Sequence, residues 1–121
     1  MQYLILIYSQ ESTEPPDPAT IGPIMAEYNA YSDMLRAKGV MLAGEALQPT
    51  ATATTVRIRD GRTLTTDGPF AETKEALGGF YMVEAKDLDE ALAYGAACPG
   101  AKWGSIEVRP IVDFAAGQVP G

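Results

Sequence analysis

The first apolar segment of the chain runs without interruption from Tyr3 to Tyr8 and ends at polar Ser9-Gln10-Glu11. A short apolar run of this kind predicts a strand that is buried on both faces. Side chains alternate between the two faces of a strand, and here both alternating sets are apolar. We therefore expect this strand to be central in its sheet, with other residues packed against both of its faces.

Two later segments have helical periodicity. The first repeats apolar residues at three-four spacing between residues 21 and 35, with Pro23 near its start and Gly39 past its end. The second follows Asp87, a capping residue, and stops at Pro99-Gly100. These patterns predict two amphipathic helices.

Alternating or β-branched patterns predict the remaining strands, which span residues 40–47, 52–59, 62–66, 79–84 and 106–111. Asp60-Gly61 is a two-residue hairpin signal between the second and third of these. The resulting order is that of an α+β, ferredoxin-like sandwich with an added β-hairpin and two helices on one sheet face. We expect one domain over residues 1–114 and a loosely ordered tail over 115–121.

The apolar second face of the first strand has a consequence for assembly, because two helices cover only one face of a sheet. We predict a homodimer whose two sheets pack face to face. The monomeric alternative is a long loop that folds over the open face.

Composition excludes several functions. A net charge of −7 and a pI near 4.4 oppose binding to nucleic acid. The opening apolar run is too short to span a membrane, and the single cysteine, Cys98, favours a cytoplasmic protein. There is no histidine and no EF-hand, P-loop, GxSxG or GxGxxG pattern, so we predict no metal site and no cofactor. The alternative for a metal is magnesium held by Asp67 and Glu72.

The segment DGPFAETKE, from Asp67 to Glu75, is the strongest functional candidate. It combines turn chemistry with four ionisable side chains in a loop between strands, where binding groups are usually presented. Asp67 is a general base or a ligand anchor if Phe70 and Tyr81 desolvate it. The structural alternative is that its carboxylate caps the turn.

Glu72 and Lys74 share a face of an extended segment, so Lys74 is placed to neutralise an anionic ligand. The alternative is a solvated ion pair, which needs no function.

The alternation over residues 40–47 places Glu45 on one strand face with Met41, Ala43 and Leu47. A carboxylate among apolar residues needs a role in a pocket or an arginine partner, for which the candidates are Arg57, Arg59 and Arg109. Tyr3 and Tyr81 are candidate pocket residues with a hydroxyl each, or else plain core or interface residues.

Three segments carry a family resemblance: TATTVRIRDG at 52–61, TDGPFAETKEALGGFYMVEAKDLDEAL at 66–92 and GSIEVRPI at 104–111. They resemble the DGPF-type, YCII-related proteins over nearly the whole domain. The resemblance implies a dimeric ferredoxin-like α/β barrel, similar to small monooxygenases and muconolactone-isomerase-type enzymes. DGPF-type genes often lie beside those of extracytoplasmic-function sigma factors, which implies a regulatory association.

The wider YCII group resembles an enzyme family with a histidine-aspartate pair in a cleft. This chain has no histidine, so the pair is absent, although Asp67 matches the acidic member.

Three functional hypotheses follow. The first is a small-molecule binding module with a cleft rimmed by Glu45, Asp67, Glu72, Lys74 and Tyr81. The second is a cofactor-free isomerase, lyase or oxygenase that uses Asp67 as acid/base and Lys74 to stabilise developing negative charge. The third is a protein partner of the transcription machinery.

Overall fold

The computed structural model describes every residue from Met1 to Gly121 and contains six strands and two α-helices. In chain order these are β1 Gln2–Ser9, α1 Pro18–Ala37, β2 Met41–Ala46, β3 Thr54–Arg59, β4 Arg62–Asp67, β5 Ala76–Glu84, α2 Leu88–Ala97 and β6 Ser105–Pro110. Short 3-10 turns lie at Thr50–Thr52, Pro99–Lys102 and Phe114–Ala116.

Four of the strands form one antiparallel sheet in the order β2-β5-β1-β6. β3 and β4 pair only with each other, as a hairpin inserted between β2 and β5. This is a ferredoxin-like arrangement with an extra hairpin, and β1 lies between β5 and β6. The predicted fold class and the central position of the first strand are confirmed.

Both helices pack on the same face of the main sheet. The core on this face contains Tyr3 and Ile5 of β1, Leu35 of α1, Ala91 of α2 and the nearby Cys98. Val83 of β5 is also fully buried there. Gly95 of α2 lies so close to β6 that a Cβ would be 2.9 Å from a methyl group of Val108. The second helix therefore approaches the sheet through a residue without a side chain.

The opposite face of the sheet carries no helix. Cross-strand pairing aligns two rows of side chains across it, Ala43-Met82-Leu4-Arg109 and Glu45-Phe80-Leu6-Glu107. Each row is apolar at its centre and ends at a charged residue on β6. We call this surface the open face.

A bulge in β2 changes the predicted faces of that strand. Met41 pairs with Val83, whereas Glu45 pairs with Phe80, because the register shifts between Met41 and Ala43. The prediction that Met41 and Glu45 share a face is therefore wrong.

Glu45 also lacks the arginine partner that the sequence suggested. Its side chain is exposed and takes part in no ion pair, and Arg109 instead lies 3.8 Å from Glu107. An exposed carboxylate is hydrated by water and needs no ion-pair partner, so Glu45 is stable without an arginine in the single chain.

Both helices begin at the capping aspartates expected of such sequences. The Asp87 carboxylate accepts a hydrogen bond of 2.9 Å from the amide of Glu90, as predicted. The first helix starts earlier than predicted, because Asp17 accepts from the amide of Ala19 and Pro18 occupies the first turn. Pro23 consequently lies inside the helix.

Residues 115–121 are exposed, and hydrogen bonds tie the start of this segment to Asp113. The Asp113 carboxylate accepts from the amide of Ala116, and the Gln118 side chain accepts from the amide of Asp113. Neither α-helix combines the length and the apolar character that a bilayer crossing requires.

Truncation of Leu35 should test the core. Leu35 is 0% exposed, so Leu35→Ala leaves a cavity and should lower the free energy of unfolding by about 2 to 5 kcal/mol in urea denaturation. Leu92→Ala is the matched control, since Leu92 lies on the other helix and is 47% exposed; its cost should stay below about 1 kcal/mol. Equal losses in the two variants would contradict this description of the core.

Candidate functional site

The DGPF loop connects β4 to β5, and its first turn is held by backbone groups and a threonine. The amide of Gly68 donates to the carbonyl of Ala53 at 2.7 Å, and the Thr55 hydroxyl donates to the carbonyl of Gly68 at 2.8 Å. Gly68 has a φ of 97°, a conformation that glycine adopts without strain.

Asp67 does not perform the capping role that the sequence suggested as its structural alternative. It is the last residue of β4, its side chain is exposed, and no hydrogen bond involves its carboxylate. The turn-capping interpretation is therefore wrong, and the carboxylate is free at the root of the hairpin.

Three chain segments, the DGPF loop among them, border an open cleft of about 560 Å³, which we call the DGPF cleft. The segments are the end of β1 and the residues after it, the turn that follows β2, and the DGPF loop itself. The hydrogen-bonding side chains that line the cleft are Gln10, Glu11, Thr50, Glu72, Thr73 and Lys74. Gly68 and Pro69 contribute backbone to the wall.

Glu11 joins two of these segments. One carboxylate oxygen accepts from the amide of Thr50 at 2.9 Å, and the other accepts from the Thr50 hydroxyl at 2.6 Å. These hydrogen bonds, the hydroxyl first and the amide second, lower the pKa of Glu11 below its ordinary value of 4.5. Glu11 and Thr50 were not among the predicted site residues, because they lie 39 positions apart and neither belongs to a local motif.

Glu75 fixes the far end of the loop. Its carboxylate accepts from the Ser105 hydroxyl at 2.7 Å, and its carbonyl accepts from the Thr73 hydroxyl at 2.6 Å. The loop is thus attached to β6 as well as to its own strands. Glu72 and Lys74 lie between these attachments, are exposed, and take part in no ion pair. The solvated ion pair considered for Lys74 is not formed.

The structure separates the other predicted site residues from the DGPF cleft. Phe70 is largely exposed in the loop and does not line the cleft. Glu45 lies on the open face. Tyr3 and Tyr81 are buried on the helix face, which is the other side of the sheet from Glu45. Of the predicted set, only Glu72 and Lys74 meet in the cleft, so one chain does not form the rim predicted from Glu45, Asp67, Glu72, Lys74 and Tyr81.

A cluster of phenols and one thiol lies between the helices and the sheet. Tyr81 and Ser32 share a hydrogen bond of 2.8 Å, and the Tyr31 ring meets the Tyr81 ring edge-on with centroids 5.1 Å apart. Burial raises the pKa of Tyr28 to about 12, and it also raises the pKa of Cys98. At neutral pH these groups are protonated, so the cluster contributes packing and hydrogen bonds rather than charge.

The arrangement of acidic residues does not suggest a metal centre. No three carboxylate, cysteine or histidine side chains come together as a potential set of ligands. The chemistry available in the DGPF cleft is therefore that of hydroxyl, amide, carboxylate and ammonium groups.

Replacement of Glu11 should test the hydrogen-bonded bridge beside the cleft through its pH dependence. Because folding lowers the Glu11 pKa, the ionised carboxylate stabilises the fold above about pH 4.5, and this contribution is lost as the pH falls through the folded-state pKa. Glu11→Gln should therefore be less stable than the wild type at about pH 6 and closer to it at about pH 3, as measured by urea unfolding.

Glu14→Gln is the matched control, since the Glu14 side chain lies in the same segment and makes no hydrogen bond. Its difference from the wild type should not change with pH. A stability difference between the wild type and Glu11→Gln that is equal at both pH values would contradict the assigned bridge.

Among solved structures, the chain is similar to 5-chloro-2-hydroxyhydroquinone dehydrochlorinase (TftG) from Burkholderia phenoliruptrix, in complex with 2,5-dihydroxybenzoquinone. The superposition has a TM-score of 0.51 with 19% sequence identity, and it covers 95% of this chain and 98% of the other. At that identity the likeness supports the ferredoxin-like fold and not a shared reaction.

Sequence comparison finds closer similarity. An uncharacterized protein of Rhizobium meliloti (strain 1021) is 37% identical over an alignment of 123 positions, which covers 99% of this chain and 99% of the other. The family model of the YCII-related domain matches residues 1–115, and this range includes both helices, all six strands and the DGPF loop. The chain therefore belongs to the YCII-related domain family.

Proposed function

We propose that this YCII-related protein binds a small polar molecule in the DGPF cleft. The observation that supports the proposal is the cleft itself, because about 560 Å³ lies within the size range of small-molecule sites. Glu11 and Thr50 join two of its three wall segments, and the hydrogen bond from the amide of Gly68 to the carbonyl of Ala53 joins the DGPF loop to the segment after β2. The contact between Glu75 and Ser105 attaches the far end of the loop to β6. A site attached in this way is largely formed before the ligand arrives, which reduces the entropy cost of binding.

The side chains of the cleft define the class of ligand. Lys74 supplies an ammonium group for a carboxylate or another anionic group, and the Thr50 and Thr73 hydroxyls add hydrogen bonds. Glu72 supplies a free carboxylate for a hydroxyl or amino group. Large apolar side chains are absent from the lining, so the ligand we propose is a small, oxygen-rich metabolite with at least one negative charge.

The proposed working form is a cytoplasmic homodimer in which two copies of the open face pack together. The centre of this face is apolar, with Leu4 and Leu6 of β1 beside Met82 and Phe80 of β5. Charged residues at the ends of the rows resemble the polar rim of an interface. A stable dimer buries roughly 800 Å² per partner, which is about a tenth of the 8573 Å² surface of the chain.

A second candidate function is a cofactor-free enzyme of the isomerase, lyase or oxygenase class, with Asp67 as acid/base and Lys74 stabilising developing negative charge. The observation in its favour is that the Asp67 carboxylate is free of hydrogen bonds and adjoins Gly68 in the wall of the cleft. TftG shows that the same fold can carry an enzyme, although it shares only 19% identity with this chain. Binding is the first proposal because Asp67 is exposed, and an exposed carboxylate lacks the apolar surroundings of most catalytic bases.

Lys74→Met should test the binding proposal in a thermal-shift screen of small carboxylates, phosphates and polyols. A ligand at a hundredfold excess over its Kd stabilises the wild type by about 2.7 kcal/mol, which raises Tm by roughly 10 °C for a chain of this size. Loss of the ammonium group should weaken an anionic hit about tenfold or more.

Lys86→Met is the matched control, since Lys86 is exposed in the segment between β5 and α2 and does not line the cleft. It should leave the shift unchanged. Hits that are lost equally in both variants, or retained equally in both, would contradict a site at Lys74.

Asp67→Asn should separate the enzyme from the binding module. If Asp67 is the acid/base, the variant should keep the affinity of a confirmed ligand within about threefold and lower its turnover by about 10² or more. Turnover can be followed by NMR of the ligand mixture over time. Turnover that survives in Asp67→Asn would remove Asp67 from the chemistry, and the absence of turnover in the wild type would leave binding as the function.

A further inference from the structure

The lining of the DGPF cleft carries charges of both signs. Glu11 contributes a carboxylate from the segment after β1, and Glu72 and Lys74 contribute a carboxylate and an ammonium group from the DGPF loop. None of these three side chains takes part in an ion pair. At neutral pH the lining therefore has two negative charges and one positive charge, and no carboxylate of the chain neutralises the ammonium group.

Glu11 keeps both its charge and part of its capacity to accept hydrogen bonds. Its two oxygens accept from the Thr50 hydroxyl at 2.6 Å and from the Thr50 amide at 2.9 Å. These bonds, the hydroxyl first and the amide second, lower the pKa of Glu11, so the carboxylate stays ionised through the neutral range. An ionised carboxylate has about four lone-pair sites, of which the two bonds use about half. The remaining sites are available to a ligand.

The two threonine hydroxyls of the cleft have already donated their protons. Thr50 donates to Glu11, and Thr73 donates to the carbonyl of Glu75 at 2.6 Å. A hydroxyl carries a single proton, so only lone pairs remain on each oxygen. Both hydroxyls can therefore accept a hydrogen bond from a ligand, and neither can donate one without breaking its present bond. Like the two carboxylates of the lining, they require a donor from the ligand.

Unused donors are present in the DGPF loop. Lys74 is the one lysine or arginine that lines the cleft, and its ammonium group has no acceptor within the chain. The backbone amides of residues 71–74, which also line the cleft, donate to no other group of the chain. An ammonium group with free amides beside it suits a carboxylate.

The charge of the chain distinguishes between the possible ligands. The whole chain has a net charge of −7, and carboxylates outnumber ammonium groups in the lining, so a purely anionic ligand is repelled. A purely cationic ligand leaves Lys74 without a partner. A neutral polyol brings no charge of its own, and hydrogen bonds between two neutral groups are the weaker kind. A zwitterion has no net charge, and each of its charged groups meets a group of opposite sign.

We propose that the ligand of the DGPF cleft is a zwitterion, a small amino acid or a related molecule with one ammonium and one carboxylate group. The carboxylate binds Lys74 and the loop amides, and the ammonium group donates to Glu11, Glu72 and the threonine hydroxyls. The inference rests on the proposed binding function and adds a positively charged group to the ligand.

Matched probes test the two charged groups separately. The zwitterions are glycine, β-alanine and γ-aminobutyrate, and each is paired with two analogues in which a methyl group replaces either the ammonium group or the carboxylate. For γ-aminobutyrate these analogues are pentanoate and butylamine. In NMR titrations of the ¹⁵N-labelled protein at about pH 7, at least one zwitterion should bind about tenfold or more tightly than both of its analogues. The amide signals of residues 71–74 should shift on binding.

Variants assign each charged group of the ligand to its side chain. Glu11→Gln should weaken the zwitterion about tenfold and leave the analogue without an ammonium group unchanged. Glu72→Gln should have the same effect, and it keeps the test independent of the bridge to Thr50, since Glu72 makes no hydrogen bond. Lys74→Met should weaken the zwitterion and the carboxylate analogue alike. Glu14→Gln is the matched control, because Glu14 lies outside the lining, and it should change neither affinity.

The contrary outcomes separate this inference from the binding proposal. Zwitterions that bind no more tightly than their methyl analogues would overturn the inference, and carboxylates that still bind through Lys74 would leave the binding proposal intact. Equal losses in Glu14→Gln and in the two cleft variants would also overturn the inference. A wild type that binds neither these probes nor any carboxylate, phosphate or polyol of the thermal-shift screen would remove both proposals.

Discussion

The constraint on which the structure depends is that β1 is apolar on both faces. A strand of this kind is stable only between neighbours and between two layers, so it occupies an inner position in the sheet, flanked by β5 and β6. One layer is supplied by the two helices, whose side chains pack against Tyr3 and Ile5. No helix covers the other side, where the rows through Leu4 and Leu6 form the open face. In the single chain Leu6 is only 9% exposed and Leu4 is half-buried. The proposed dimer follows from this imbalance.

The cleft depends on the same sheet through its loops. The segment after β1, the turn after β2 and the DGPF loop before β5 all emerge at one end of the sheet, because β1 and β2 both run antiparallel to β5. Antiparallel pairing therefore gathers them, and the hydrogen bonds of Glu11 and Glu75 hold them in place. The sheet fixes where the three segments lie, and the segments supply the polar groups of the cleft.

Much of the fold could be predicted because its signals are local. The continuous apolar run predicted β1, the Asp60-Gly61 pair predicted the hairpin, and Asp87 predicted the start of α2. The bulge at Met41 could not be predicted, since a register shift depends on how β2 meets β5. Its effect was to move Met41 to the other side of the strand from Glu45.

The site was predicted less completely, for a related reason. Turn-forming and charged residues are concentrated in the DGPF segment, which is why it was predicted as the site, and Glu72 and Lys74 both line the cleft. Glu11 and Thr50 had no local signal, since their contact exists only after the sheet brings β1 and β2 to one end. Tyr81 was grouped with the loop through proximity in sequence, whereas strand alternation turns it into the core.

The most direct test of this account is the solution mass of the wild-type chain, measured by sedimentation velocity over a range of concentrations together with Met82→Glu. Met82 is half-buried at the centre of the open face. In the proposed dimer a glutamate there would be buried between two sheets without a partner for its charge, which should prevent association. The account predicts a wild-type species of twice 12.9 kDa and a folded Met82→Glu monomer. A wild-type chain that sediments at 12.9 kDa at every concentration would contradict it.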